Sequence, residues 1–116
     1  MKIYRGKKLV CEARVARNMF DKAWGWMLHK PGKNEGLLFI FMDNYTPLMW
    51  MPLMLTPINM AFLDKNIKVV DFQRAVPVTP DPKTWRTYKP KKPCKYVLEL
   101  HWDNRLKIGE KLNIIF

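Results

Sequence analysis

The sequence predicts a mainly β protein: a single compact β-barrel or jelly-roll-like sandwich with one or two short helices. Three observations lead to this fold class. Short runs of apolar residues, or of apolar and polar residues in alternation, recur along the chain and have the length of β-strands. Turn signals built from Gly, Pro, Asn and Asp separate these runs, as in other all-β domains. A length of 116 residues and an apolar content of 48% suit one hydrophobic core. We therefore expect residues 1–116 to form a single domain.

The amino-terminal third predicts a strand followed by a short helix. In residues 9–16 apolar and charged side chains alternate, and this period of two indicates a half-buried strand. Asn18 is a favourable helix N-cap, and Gly25 is a favourable residue just beyond a helix C-terminus. We therefore expect a short helix over residues 19–24. Residues 31–36, rich in Pro and Gly, predict a loop.

The middle of the chain holds its longest uncharged run, residues 44–63. Its length approaches the roughly 20 apolar residues that a membrane-spanning helix needs. Pro47, Pro52 and Pro57 argue against such a helix, because each removes a backbone donor and costs roughly 3 kcal/mol in a helix interior. We interpret the run as two buried strands joined by a proline-stiffened connection, and we expect no membrane span.

The remaining pattern predicts six further strands after the first. They cover residues 37–41, 48–51, 58–64, 67–75, 96–100 and 112–116. The strands at 58–63 and 67–75 are close enough in sequence to pair as a hairpin. Residues 76–95 contain five prolines and predict a long surface loop, whereas residues 102–106 predict a turn of helix. The side chains that we expect to be buried in the core are Phe39, Trp50, Phe62, Leu98 and Leu100.

The net charge of +11 is concentrated in two segments. Residues 1–17, the amino-terminal basic segment, carry a net charge of +5, and residues 83–95, the basic loop, carry +6. The remaining residues hold nine basic and nine acidic side chains. A net charge of this size keeps a small protein soluble. If the two segments lie together in the fold, they also form a surface that faces an anionic partner.

The amino terminus and the cysteine content predict a cytoplasmic protein. Residues 1–8 are charged, and no apolar run resembling a signal peptide follows them. Two cysteines, Cys11 and Cys94, are too few for a disulfide scaffold and indicate reduced thiols. A bridge between the two stays open as an alternative.

Four sequence landmarks follow one another in a specific order. They are Gly25 with Met27 two residues on; Gly36-Leu37-Leu38-Phe39-Ile40-Phe41; Trp50-Met51 followed by Pro57 and Ala61-Phe62-Leu63-Asp64; and Tyr96-Val97-Leu98-Glu99-Leu100 with Ile108-Gly109-Glu110 behind it. In this order they resemble the domain of unknown function 192 family, also called uncharacterised protein family 0127. The resemblance covers residues 9–115 and is closest to the archaeal-type members that lack a signal peptide.

The resemblance implies a compact, mainly β domain of jelly-roll or barrel type, and it implies no activity, because the family has no established one. This chain departs from the family pattern at two places. After Trp50-Met51 many members carry Lys-Asn-Thr, where this chain has Pro52-Leu53-Met54. An aspartate is usual two residues after the proline, where this chain has Asn59. If those polar residues form a ligand site in other members, most of it is absent here.

The residues that carry common catalytic chemistry are scarce. The chain contains no serine, which excludes a serine nucleophile. Cys94 and His101 form the one conceivable nucleophile–base pair, and an enzyme that uses Cys94 stays the weaker alternative. The two cysteines and two histidines are not spaced in the sequence as zinc ligands are, which argues against a zinc site. We therefore expect a non-catalytic domain with no metal and no cofactor.

The basic loop gives the leading functional hypothesis, because it interleaves aromatic residues with six cations. Proteins bind single-stranded nucleic acid with aromatic side chains for stacking and Lys or Arg for phosphates. We expect the loop and the amino-terminal basic segment to face an anionic partner such as RNA or single-stranded DNA. The predicted contact residues are Lys83, Trp85, Arg86, Tyr88, Lys89, Lys91, Lys92 and Lys95.

An apolar pocket is the alternative hypothesis. Four consecutive apolar residues after Met51 cannot all point inward from one strand, so part of this segment forms an exposed patch or a pocket rim. Such a pocket would bind a small molecule or a peptide. Its predicted lining residues are Trp50, Met51, Pro52, Leu53, Met54 and Leu55.

Overall fold

The computed structural model describes residues 1–16, 32–47, 49–50, 56–84 and 86–115, with the backbone alone described for residues 42–45 and Trp50. Nine strands lie in this part of the chain: β1 (Lys2–Arg5), β2 (Lys8–Ala16), β3 (Glu35–Tyr45), β4 (Met49–Trp50), β5 (Ile58–Leu63), β6 (Val69–Ala75), β7 (Thr87–Tyr88), β8 (Cys94–His101) and β9 (Asn113–Ile115). The one helix in these ranges is a 3-10 turn at Pro82–Thr84. The mainly β class predicted from the sequence is confirmed.

Seven strands form one sheet in the order β6-β5-β8-β3-β2-β1-β9, and β4 and β7 form a separate two-stranded sheet. Neighbouring strands are antiparallel except for β2 and β3, which run parallel. A parallel pair needs a long connection, and residues 17–34 connect these two strands in the sequence. The predicted hairpin of β5 and β6 is confirmed, since Ile58 pairs with Ala75 and Phe62 with Asp71.

Within the described residues, the outer strands β6 and β9 are not paired along their length, so the large sheet is not closed. The segment before β9 nevertheless contacts the start of β6. An isolated bridge joins Lys68 and Lys111, and the amide of Val69 donates to the carbonyl oxygen of Glu110 at 2.8 Å. These contacts hold the turn at residues 107–110, called here the carboxy-terminal turn, against the β5–β6 hairpin. The jelly-roll alternative stays a prediction.

The large sheet buries apolar side chains on both faces. In β5, Ile58, Met60 and Phe62 belong to one buried cluster, whereas Ala61 and Leu63 belong to the other. All six residues of this strand are buried. A strand covered on both faces carries apolar residues on both sides, which explains the nearly continuous apolar run in the sequence. The one polar residue of the strand, Asn59, has its side-chain amide hydrogen-bonded.

The predicted core is confirmed where the structure describes it. Phe39, Phe62, Leu98 and Leu100 come from β3, β5 and β8, and each is at most 2% exposed. Trp50 lies in β4, but its side chain is outside the described residues. The core therefore forms where the central strands of the sheet meet, which accords with the longest apolar runs in the sequence.

Most predicted strands are confirmed, and the exceptions have local causes. The sequence does not predict β1 and β7. In β1 only one residue, Ile3, is fully buried, so the apolar pattern is weak. Strand β7 has only two residues and lies inside the proline-rich loop. The turn of helix predicted at residues 102–106 is wrong, since a turn without helix follows β8 there. The helix predicted at residues 19–24 lies outside the described residues.

Candidate anion-binding site

Residues 79–84 lead into the basic loop. Hydrogen bonds from their own Asp and Thr side chains hold this segment in place. The carboxylate Oδ1 of Asp81 accepts a hydrogen bond from the amide of Lys83 at 3.0 Å, and the hydroxyl of Thr84 accepts one from the amide of Thr79 at 2.8 Å. Such side-chain turns order a loop that lacks long secondary structure. The exposed Lys83 therefore stands on an ordered turn.

The next part of the basic loop is anchored to β6 by the carboxylate of Asp71, which is 2% exposed. Its Oδ2 accepts hydrogen bonds from the amide of Lys91 at 3.0 Å and from Nε2 of Gln73 at 2.8 Å. The same Gln73 nitrogen donates to the carbonyl oxygen of Lys89 at 2.7 Å. A buried carboxylate is tolerated when donors satisfy it. These bonds fix the loop backbone while the side chains of Lys89 and Lys91 stay exposed.

Tyr88, predicted to stack on a nucleic-acid base, is instead a core residue. It is 2% exposed, and its hydroxyl accepts a hydrogen bond from the amide of Val76 at 2.9 Å. The guanidinium carbon of Arg86 lies 5.6 Å from the centroid of its ring. Pairing of β7 with β4 sets Tyr88 opposite Met49 and places its ring in the core. Trp85, the other aromatic residue of the loop, lies outside the described residues.

Lys95 also differs from the other cations of the basic loop. It is half-buried in β8, and its Nζ lies 3.5 Å from the carbonyl oxygen of Phe41 and 5.9 Å from the ring centroid of Tyr96. These contacts direct the ammonium group to the protein itself. The exposed cations of the basic loop are Lys83, Arg86, Lys89, Lys91 and Lys92.

Lys92 lines a groove of about 500 Å³ between three segments that are distant in the sequence. The segments are the β5–β6 hairpin, the basic loop and the carboxy-terminal turn. Together they contribute Asp64, Lys68, Val69, Val70, Lys92, Pro93, Ile108 and Gly109. Lys68 and Lys92 are both exposed, so the groove has cations on two of its walls.

The amino-terminal basic segment approaches the groove through Arg5. Its Nη1 lies 3.3 Å from Oε2 of Glu110 and 3.5 Å from the carbonyl oxygen of Arg105. Glu110 follows Gly109, which lines the groove. One cation of the first basic segment thus lies beside the turn that borders the groove, where the second basic segment supplies Lys92. That both segments face one partner stays a prediction.

One cation of the groove, Lys68, is absent from the sequence-based prediction. In the sequence, the acids Asp64 and Glu110 offset the charge of nearby lysines, but in the structure both acids have other partners. Oδ1 of Asp64 accepts two backbone amides, at 2.8 and 3.0 Å, and Glu110 pairs with Arg5. The sequence would have indicated this cation if acids at predicted turn positions had been left out of the charge count.

The pair of Cys94 and His101 is excluded by the geometry of β8. The two residues are the first and last of this strand, and seven steps of about 3.3 Å separate them by roughly 23 Å. Burial raises the pKa of Cys94 to about 11, so its thiol stays protonated and weakly nucleophilic near neutral pH. The Nδ1 of His101 accepts a hydrogen bond from the amide of Asp103 at 3.1 Å. The alternative of an enzyme with this pair is therefore wrong.

A bridge between Cys11 and Cys94 is excluded as well. Both thiols are free and buried, and they belong to different core clusters of the sheet. Burial raises the pKa of Cys11 to about 12. Both cysteines therefore act as small apolar core residues.

Glu99 is a buried acid in the middle of the sheet. It lies on β8 between Leu37 of β3 and Met60 of β5, and it is 4% exposed. Burial raises its pKa to about 8. In the part of the chain that the structure describes, no residue donates a hydrogen bond to its carboxyl group. Near neutral pH the group is therefore largely protonated and adds no negative charge.

Asn59, where the family pattern has an aspartate, holds the turn that follows β8. Its Nδ2 donates to the carbonyl oxygens of Trp102 and Asn104, both at 3.0 Å, and to that of His101 at 3.4 Å. An amide nitrogen can donate to these carbonyl oxygens, whereas a carboxylate cannot. In this chain the residue therefore has a structural role.

Three further expectations concern a metal site, a membrane span and the apolar pocket. Across the described ranges, no group of three His, Cys, Asp or Glu side chains is placed to hold a metal ion. The described residues contain no helix with the length and apolarity to cross a membrane. Residues 51–55 and the side chain of Trp50 lie outside the described residues, so the apolar pocket stays a prediction.

Comparison with protein families identifies relatives over nearly the whole chain. The model of the DUF192 family, described as "Uncharacterized ACR", matches residues 2–114. The chain belongs to the DUF192 family. This confirms the resemblance drawn from the four landmarks.

Archaeal relatives in the DUF192 family share about a third of their residues with the chain. A UPF0127 protein of Pyrococcus abyssi is 33% identical over 110 residues, which cover 90% of this chain and 86% of the relative. A UPF0127 protein of Thermococcus sibiricus is 36% identical over 98 residues, covering 82% of this chain but 58% of the relative. The chain thus spans most of one relative and little more than half of the other.

Two solved structures share the fold. A candidate transcription regulator from Sinorhizobium meliloti has a TM-score of 0.78 at 22% identity, covering 89% of this chain and 81% of that one. A protein of unknown function from Novosphingobium aromaticivorans has a TM-score of 0.75 at 22% identity, covering 90% of this chain and 75% of that one. At this identity the likeness concerns the fold alone.

Proposed function

We propose that this protein is a non-catalytic domain that binds single-stranded nucleic acid, RNA or single-stranded DNA, through the exposed cations of the basic loop. The observation that carries the proposal is the anchoring of this loop by Asp71. Because the backbone of Lys89 and Lys91 is bonded to β6, the cations stand on an ordered segment. An ordered binding segment loses less conformational entropy when a partner binds.

The chemistry of the loop favours contact with phosphates over reading of bases. Lysine predominates over arginine among its cations, and lysine acts as a mobile point charge, whereas arginine supplies the bidentate contacts of base readout. A net charge of +11 also increases the rate at which a polyanion meets the protein. We therefore propose binding that tolerates many sequences and depends strongly on salt.

One further observation supports the choice of a single-stranded partner, and a second is compatible with a nucleic-acid partner of either kind. Trp85 lies between cations in the sequence of the loop and supplies an aromatic surface for stacking in this proposal. The structure from S. meliloti with the same fold is described as a candidate transcription regulator. That description concerns the other protein, and it is compatible with a nucleic-acid partner here.

The proposal is tested by fluorescence anisotropy with a labelled single-stranded oligonucleotide. Affinity should fall steeply between about 50 and 200 mM salt, because binding releases counterions from the phosphates. The combined variant Lys89→Ala, Lys91→Ala and Lys92→Ala should lower the slope of log K against log salt by about 2, since each phosphate contact on a single strand contributes about 0.7. Trp85→Ala should weaken binding by about 1–3 kcal/mol.

A charge-matched control separates a local site from the effect of net charge. The variant Lys33→Ala, Arg74→Ala and Arg105→Ala removes three exposed cations outside both basic segments and leaves the loop intact. A smaller change in slope for this variant supports the loop as the main contact. Equal changes in the two variants, or no binding at low salt, would overturn the proposal.

A further inference from the structure

The groove beside Lys92 has walls that hydrogen bonds hold in place. The amide of Gly109 donates to the carbonyl oxygen of Val69 at 2.8 Å, which joins the carboxy-terminal turn to the hairpin. The amide of Ile67, whose φ angle is 62°, donates to the carbonyl oxygen of Asp64 at 2.9 Å. The bond between Lys91 and Asp71 fixes the third wall. The groove is therefore a built feature of the fold.

Three kinds of chemical group line this groove. Lys68 and Lys92 supply two exposed cations. Ile108, which is 63% exposed, lies with Pro93 and gives an apolar surface. Asp64 supplies a carboxylate acceptor: Oδ1 accepts both backbone amides of the hairpin turn, and no residue within the described ranges donates to Oδ2.

We infer that this groove holds one nucleotide unit of the bound strand, with its phosphate between Lys68 and Lys92 and its base against Ile108. This inference rests on the proposed function and names the part of the ligand that the groove recognises. Single-strand binding combines attraction of phosphates to lysines with contact of the bases on aromatic side chains. In this groove the exposed aliphatic side chain of Ile108 provides the apolar contact in place of an aromatic ring. The carboxylate of Asp64 accepts a hydrogen bond from a base amino group or a sugar hydroxyl.

The size and charge of the groove favour a nucleotide over other anions. About 500 Å³ exceeds what a free phosphate fills, and it lies within the usual range of small-ligand sites. A fatty acid would use the lysines and Ile108, but the carboxylate of Asp64 would lose water without gaining a donor. A nucleotide matches all three kinds of group.

The inference is tested by nuclear magnetic resonance on the full chain labelled with nitrogen-15. Adenosine monophosphate, inorganic phosphate and a short single-stranded oligonucleotide are added in separate titrations. We expect the monophosphate and the oligonucleotide to shift the amide signals of Lys68, Ile108 and Gly109, and inorganic phosphate to shift them far less. Lys68→Ala should weaken binding of the monophosphate about 1.5- to 5-fold, the loss expected for one exposed ion pair.

The control is Lys33→Ala, which removes an exposed lysine from the loop before β3 and should leave the affinity unchanged. Equal shifts with inorganic phosphate and the monophosphate would overturn the inference, because the groove would then hold an anion without its base. An oligonucleotide that binds with the predicted salt dependence but leaves the groove signals unmoved would overturn the inference and keep the proposed function. Absence of oligonucleotide binding would overturn both.

Discussion

The backbone amide of Lys91 donates a hydrogen bond of 3.0 Å to the buried carboxylate of Asp71. This contact joins the basic loop to β6, an outer strand of the large sheet. Gln73 strengthens the same junction, since its side chain bonds both to Asp71 and to the backbone of Lys89. The arrangement anchors part of a proline-rich loop to the sheet through one buried acid.

Asp71→Ala should lower the free energy of unfolding by about 2–3 kcal/mol, because the donors that face the carboxylate lose their acceptor. Asp71→Asn keeps one acceptor oxygen and should have a smaller effect. Urea unfolding measures both variants. Asp103→Ala, at an exposed position, is the control and should change stability by less than about 0.5 kcal/mol. A loss below about 1 kcal/mol for Asp71→Ala would show that the carboxylate does not hold the loop.

Asn59→Asp should destabilise the protein by about 3–5 kcal/mol near neutral pH, because a buried carboxylate would face three carbonyl oxygens without a donor. The loss should shrink in acid, where the new carboxyl group is protonated and can donate one hydrogen bond. Asn59→Ala should be less harmful, since it leaves no buried charge. Thermal unfolding at acidic and neutral pH compares the two, and equal stabilities at neutral pH would contradict the role assigned to the amide.

Glu99 should make the protein less stable as the pH rises. Burial raises its pKa in the folded state to about 8 from 4.5, so between these values the folded state holds a proton that the unfolded state releases. The unfolded state then binds fewer protons, and the free energy of unfolding falls as the pH rises from about 4.5 to about 8. Glu99→Gln should remove this dependence, with stability close to that of the original protein at about pH 5 and higher at about pH 8.5. Parallel pH profiles for both proteins would contradict this assignment.

Phe62→Ala should cost about 3–5 kcal/mol, the usual range for removal of a large core aromatic side chain. Phe62 is fully buried in β5, in the interior of the large sheet. Ile115→Ala is the matched control, because Ile115 is 58% exposed in the outer strand β9. Urea unfolding measures both variants. If the dependence of the unfolding free energy on urea concentration is unchanged, the shift in midpoint reports a change in stability alone. Similar losses in the two variants would contradict the position assigned to the core.

Functional residues were predicted less completely than strands. Lys89, Lys91 and Lys92 are exposed as predicted, because a run of cations interrupted by prolines cannot be buried. Tyr88 was placed wrongly, because its burial depends on pairing with β4, which lies far away in the sequence. Lys68 was missed, because Asp64 cancels its charge in the sequence while the structure engages that acid with backbone amides.

The sequence by itself determined the fold class and the positions of most strands. Alternation and apolar runs, as in residues 9–16 and in β5, reflect which faces of each strand are covered, and this information is local. The tertiary structure alone decided which segments meet. The groove joins Lys68, Lys92 and Gly109 because strand order and the bridge before β9 bring three distant segments together. Such contacts depend on pairing over long sequence separations, which no local pattern of residues encodes.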